Sequence, residues 1–229
     1  MISDFLKRAA ACLPPLIQHE LKCWRYRRQI LCRCFKSEEP EYNLLDSLMA
    51  RGDWALDIGA NVGHYTRRLS DLVGPEGHVI AIEPVAETFS LLAANTRYFK
   101  YDNVTLMNFA ASDRFGSVAM AVPHYRNGLK NYYEARITRN DENGAVLAVP
   151  VDFLQIPFPI RLVKIDVEGH ELPVLIGMQT TIRKHHPLII MEKGSVEAVR
   201  YLERLDYHCH DLPNSPNHLL IADKNCLRQ

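Results

Sequence analysis

Carboxylates and glycines at fixed spacing mark the stretch Trp54-Ala-Leu-Asp57-Ile-Gly59-Ala-Asn61-Val-Gly63-His-Tyr-Thr66. A dinucleotide fingerprint would need glycines at 59, 61 and 64, but Asn61 and His64 stand at two of those places. Asp57, just before the turn, would repel a pyrophosphate and suits a ligand with a cationic amino group. The spacing points to S-adenosylmethionine, held by Asp57, Gly59, Asn61 and Gly63. Gly59 and Gly63 would remove Cβ atoms where the ligand lies against the main chain. Glu83 follows roughly 20 residues past the turn, where an acid grips a ribose diol, because both carboxylate oxygens can accept. Ser112 and Asp113, after the next strand, are placed to meet the adenine. On this reading Glu83→Ala weakens cofactor binding and leaves the melting of the free protein nearly unchanged.

A second set lies in Arg161-Leu-Val-Lys164-Ile-Asp166-Val-Glu168-Gly169-His170-Glu171. Asp166 and Glu168 are two apart, on one face of an extended chain. If a hydroxyl acceptor is to react at this rim it needs a base, because an alcohol is a poor nucleophile until its proton leaves. Imidazole titrates near neutrality, and a carboxylate reaches that range only by burial. Glu168 and His170 therefore rank nearly equal as base, with His124 third. Asp166 is expected to orient the cofactor amine or the acceptor. A salt bridge from these acids to Lys164 or Arg183 is the structural alternative. No three ligands show a metal-binding spacing, and the pairs His185-His186 and His208-x-His210 stand alone, so no metal site is expected.

These residues need elements to position them. Trp54 to Ile58 reads as a strand, and Val62, Tyr65, Leu69, Leu72 and Val73 follow at helical intervals. That strand–turn–helix opens an α/β sheet, whose ligands bind beyond the carboxyl ends of its strands. The pattern continues with a strand from His78 to Glu83, a helix from Ala86 to Tyr98 and one strand from Val104 to Ala111. Gly116 to Val122 and Ala145 to Val151 read as extra strands. The loop 123–144 between them is too long for a plain connection. Its His124, Tyr125, Arg126, Asn127, Lys130, Tyr132, Tyr133 and Arg136 suit a polyhydroxylated acceptor. A strand ending near Asp166, a helix around Leu172 to Ile182, a strand at Pro187 to Met191, a helix at Val196 to Leu205 and a strand pair close the chain.

The whole chain is charge-balanced, with 27 basic and 27 acidic residues among 229. Global charge gives no reason to expect nucleic acid. Residues 1–36 differ: eight basic side chains oppose Asp4 and Glu20, a net of +6. Helical patterns run through 2–13 and from Ile17 to Phe35, split by Pro14-Pro15. This basic extension, residues 1–41, reads first as a helical cap on domain 42–229. Its other reading is an arm for a partner, a carrier-bound acceptor or a membrane surface. Six cysteines without a C-x-x-C pair fit reduced thiols in a cytoplasm. No run is long enough to span a bilayer. Lys7-Arg8 with the apolar stretch after it resembles a signal peptide, but Pro14-Pro15 breaks that pattern.

Trp54 to Thr66, Glu83-Pro84, Lys164 to Glu171 and Pro187 to Glu192 together resemble the FkbM family of S-adenosylmethionine-dependent methyltransferases. The resemblance covers about residues 40–193. It implies a class I methyltransferase fold, a Rossmann-like three-layer sandwich whose seven-stranded, mostly parallel sheet has its last strand antiparallel. It also implies O-methylation of a small-molecule, sugar or glycan hydroxyl. Alternatives are a nucleic-acid or protein acceptor reached through the basic arm, or a non-catalytic cofactor-binding scaffold. The base-flipping motifs Asn-Pro-Pro-Tyr and Asp-Pro-Pro-Tyr do not follow the fourth strand.

Overall fold

The computed structural model describes residues 13–125, 128–138 and 145–223. Pro15 sits in the first turn of helix α1 (Pro15–Leu31), where its missing N–H costs nothing. The expected helix over 2–13 lies almost wholly outside the described residues. α1 ends before Phe35 because Arg33 turns left-handed at φ 58°. Phe35 then folds back to pack with Ile30, Val62 and Leu91. Helix α2 (Glu41–Leu48) follows. Its buried Glu41 accepts bonds from Tyr65, Ser215 and Asn217 and so ties the approach segment to the domain.

Strands β1 (Trp54–Ile58), β2 (His78–Ile82) and β3 (Val104–Met107) alternate with helices α3 (His64–Val73) and α4 (Ala86–Thr96). Next come β4 (Ala110–Ala111), β5 (Gly116–Ala121), β6 (Arg136–Thr138) and β7 (Ala145–Val149). Then follow β8 (Ile160–Ile165), α5 (Glu171–Gly177), α6 (Gln179–His185), β9 (Leu188–Glu192) and α7 (Val196–Glu203). Strands β10 (Tyr207–Asp211) and β11 (Asn217–Ala222) close the order. The main sheet runs β10-β11-β9-β8-β1-β2-β3, with β11 antiparallel to both neighbours and the other ladders parallel. This is the class I methyltransferase arrangement. Helices on both faces bury the central strands, so β1, β8 and β9 are mostly apolar, with Asp57, Lys164 and Glu192 toward their carboxyl ends. Leu56, Ile58, Val163, Ile165 and Ile189 are fully enclosed, each worth roughly 1.5–3 kcal/mol of burial.

Two expected elements are split. The strand expected from Val104 to Ala111 breaks at Asn108, whose side chain donates to the carbonyls of Glu83 and Pro84. Ala110-Ala111 then joins a separate sheet, β4-β7-β5-β6. β6 lies inside the stretch read as loop 123–144, so part of that insertion is built structure. The helix expected around Leu172 to Ile182 divides between α5 and α6 at Met178. A Cβ on Gly177 would fall 1.8 Å from the Ser112 carbonyl oxygen, so the helix end is pressed onto the chain after β4.

Candidate active site

A cleft of about 910 Å³, including its open mouth, lies beyond the carboxyl ends of β1, β2 and β8. Its floor holds Asp57, Gly59, Asn61 and Glu83. Asp57 is buried; its Oδ2 accepts from Thr66 Oγ1 at 2.6 Å, while Oδ1 has no partner. Burial pushes its carboxyl up, opposed by the nearby Lys164 ammonium and the Thr66 bond. Asn61, at φ 48°, likewise leaves Oδ1 buried without a partner. Two orphaned acceptors on one wall call for a donor that the chain does not supply.

Glu83 is more occupied than the sequence implies. Its Oε1 accepts from the Val85 amide at 2.9 Å and Thr88 Oγ1 at 2.8 Å. Its Oε2 accepts from the Asn61 amide at 2.8 Å, which leaves that oxygen room for one more donor. The acid thus fastens the glycine turn as well as facing the cleft. The glycines also have a different reason from the one expected. A Cβ on Gly59 would stand 1.8 Å from the Asp166 carbonyl oxygen, and one on Gly63 would meet Leu92 Cδ1 at 2.6 Å. Both have positive φ, 82° and 94°. They are glycines because strand β8 and helix α4 press on the turn, whatever ligand it holds.

The acidic rim comes from the end of β8. Lys164, buried, donates to Asp166 Oδ2 at 2.8 Å and lies 4.5 Å from the Tyr65 ring centroid. The salt bridge weighed as the structural alternative therefore exists, and Asp166 still lines the cleft. Glu168, at φ 46°, also lines it. Burial pushes its carboxyl up, reinforced by Asp166, Glu134 and Glu171. His170 lines the wall with Nε2 3.0 Å from Ser112 Oγ. Burial lowers its pKa, opposed by the nearby Asp113 and Glu171 carboxylates.

Other candidates lie elsewhere. Ser112 stands behind the wall, bonded to His170, and Asp113 pairs with Arg114. The lining at that end is Ala110, Ala111, Met120 and Ile137, an apolar slot suited to a flat ring. His124 is exposed and bridges to Lys130 outside the cleft, so it is not placed to act on an acceptor there.

Residues away from the two motifs also line the cleft, and two of them, Tyr132 and Tyr133, are among the loop residues suited to an acceptor. Ser37 and Glu39 reach the cleft from the segment after α1. Tyr132 and Tyr133 do so from the insertion, tied down by Asn61 Nδ2 to the Tyr132 carbonyl at 3.4 Å and by Lys130–Glu87 at 2.7 Å. Glu192, at the end of β9, comes beside Asp166 and Glu168, with one oxygen of each within 4.8 Å of the others. Burial, with Glu168 and Asp166 next to it, pushes Glu192 up to about 7. No spacing marks these three as a set; β8 and β9 being neighbours gathers them. Three carboxylates so close would share a proton or a cation.

Residues 57–209 match the sequence model of the methyltransferase FkbM domain. The chain belongs to the FkbM methyltransferase family. Among solved structures it is similar to methyltransferase FkbM from Methylobacillus flagellatus, with a TM-score of 0.56 at 19% identity over 80% of this chain and 50% of that one. It is 27% identical over 183 residues to the hexuronic acid methyltransferase AglP of Haloferax volcanii, covering 79% of this chain and 70% of that protein. A shorter match, 36% identical over 59 residues, joins it to a protein-L-isoaspartate O-methyltransferase of Ignicoccus hospitalis, and spans 26% of this chain and 28% of that protein. S-adenosylmethionine is the cofactor that goes with the FkbM family. The cleft fits it: the orphaned Asp57 and Asn61 oxygens suit its amino group, Glu83 Oε2 a ribose hydroxyl, and the Ala111–Met120–Ile137 slot its adenine.

Proposed function

We propose that the protein transfers a methyl group from S-adenosylmethionine to a hydroxyl of a sugar, glycan or related polyhydroxylated acceptor. The carrying observation is the acidic cleft, with two orphaned acceptors on one wall and two tyrosines in its lining. The likeness to AglP, which spans most of this chain, supports a sugar acceptor. The isoaspartate enzyme matches too short a stretch to speak for an acceptor.

The bound cofactor supplies an already activated methyl group. What remains for the chain is positioning, since a hydroxyl held in line at about 3 Å gains most of its rate from orientation. Tyr132, Tyr133, Ser37 and Glu39 offer rings and polar atoms to hold a hydroxylated ring. His170, fixed at Nε2 by Ser112, has Nδ1 left as the nitrogen able to take the hydroxyl proton, and Glu168 is the carboxylate within the same wall. Lys164 holds Asp166 in place. The test is incubation of the full chain with methyl-labelled donor and hexuronic-acid or neutral oligosaccharides, read by mass spectrometry. Label in a base-stable ether on the sugar is the expected result. Label on protein carboxyls or nucleic acid instead overturns the reading.

A further inference from the structure

Helix α1 has two opposed faces. His19, Cys23, Tyr26 and Ile30, spaced by four, three and four, point inward. His19 Nε2 lies 3.4 Å from Ser90 Oγ on α4, and Cys23, Tyr26 and Ile30 pack around Phe35 and Val62. Ile17, Leu21, Trp24 and Leu31, spaced by four, three and seven, form the outer stripe. They are 47%, 48%, 61% and 64% exposed, so no described part of the chain covers them. Arg27 and Arg28 flank the stripe and Arg25 stands at its edge, all exposed, against the single acid Glu20. The Arg28 guanidinium lies 5.8 Å from the Trp24 ring centroid.

The core gains nothing from this stripe, because the inward face alone anchors the helix. We propose that the outer face docks α1 flat on an anionic lipid surface. Two observations favour lipid over a protein partner. A half-wet tryptophan lies between flanking arginines, whose stems bury while their charges meet phosphate. The charge is also lopsided: residues 1–36 carry +6 in a chain whose total is zero, so basic charge is concentrated in the segment that holds the stripe. No helix among the described residues is long and apolar enough to cross a membrane, so the contact is peripheral. The docking does not depend on which acceptor the cleft takes. It does connect to the cleft physically, since Phe35 stacks on His64 at 4.2 Å and Ser37 and Glu39 follow directly in the wall.

The test uses the full chain with vesicles of phosphatidylcholine alone and of phosphatidylcholine mixed with phosphatidylglycerol. Flotation with the anionic vesicles, little with the neutral ones, and release by salt are expected. Trp24→Glu and the double variant Arg27→Glu/Arg28→Glu should each weaken vesicle binding at least ~10-fold. Both should keep the wild-type thermal shift with S-adenosylhomocysteine, which shows that fold and cleft are intact. Failure to float with anionic vesicles overturns the proposal, as does flotation that neither variant weakens. Self-association in sedimentation equilibrium that Trp24→Glu abolishes would assign the face to a second copy and overturn it as well.

Discussion

Glu83 is held by two backbone amides and a threonine hydroxyl, which changes what its removal does. Glu83→Ala strands the Asn61 and Val85 amides, and a buried donor left unmade costs about 1–3 kcal/mol. The free protein should therefore lose roughly 2–4 kcal/mol, against the sequence-based expectation of an unchanged melt. Glu83→Gln keeps the shape and should lose less; chemical denaturation of both without cofactor checks the order. The same acid was legible as a cofactor ligand from its place after β2, but its structural bonds were not, because Val85 and Thr88 carry no signal in the sequence. For His170, substitution by alanine should lower kcat by ~10²-fold and remove the limb it contributes to the pH–rate profile. Burial lowers the His170 pKa, so that limb should lie below the usual histidine range, with activity falling as pH drops through it. Glu168→Gln is the matching measurement, and a loss there with His170→Ala silent would hand the proton to the carboxylate.

At the scale of elements, the turn after β1 and the segment after α1 each bear on the cleft. Gly59→Ala combines a positive φ with a Cβ driven into the Asp166 carbonyl. Strain and overpacking each contribute about 1–3 kcal/mol, so a melt should show about twice the cost of Gly169→Ala, which has φ 87° but open space around it. His64 reports on the approach segment. Burial, with Arg25 nearby, pulls it down to about 4. The unfolded chain binds its proton near pH 6.5, so stability is whole above that value and is lost as pH falls toward 4. The loss is at most about 3 kcal/mol. Titration followed by near-UV circular dichroism should show this step, and His64→Gln should flatten it. Strand and helix order were legible because apolar periodicity is strong in a sheet buried on both faces. The splits at Asn108 and Met178 were not, since each arises from a contact made by distant chain.

For the whole molecule, saturating S-adenosylhomocysteine at ~100 times its dissociation constant should stabilise the fold by about 2.7 kcal/mol. In a chain of 229 residues that raises the melting temperature by roughly 5–10 °C. No shift in calorimetry would remove the cofactor assignment and everything resting on it. The cofactor half of the site was readable because one short stretch carries it. The acceptor half was legible in part, through the loop tyrosines and the 166–170 rim, but Ser37, Glu39 and Glu192 come from distant segments that only the fold brings to it. The second sheet, β4-β7-β5-β6, is joined to the main one through the short β4 and carries Met120 and Ile137 into the cleft. Its strands do not hydrogen-bond to those that bear Asp57 and Glu83. This appendage walls the adenine slot and, just before β6, brings Tyr132 and Tyr133 to the cleft, so a change in its strands reaches donor and acceptor together.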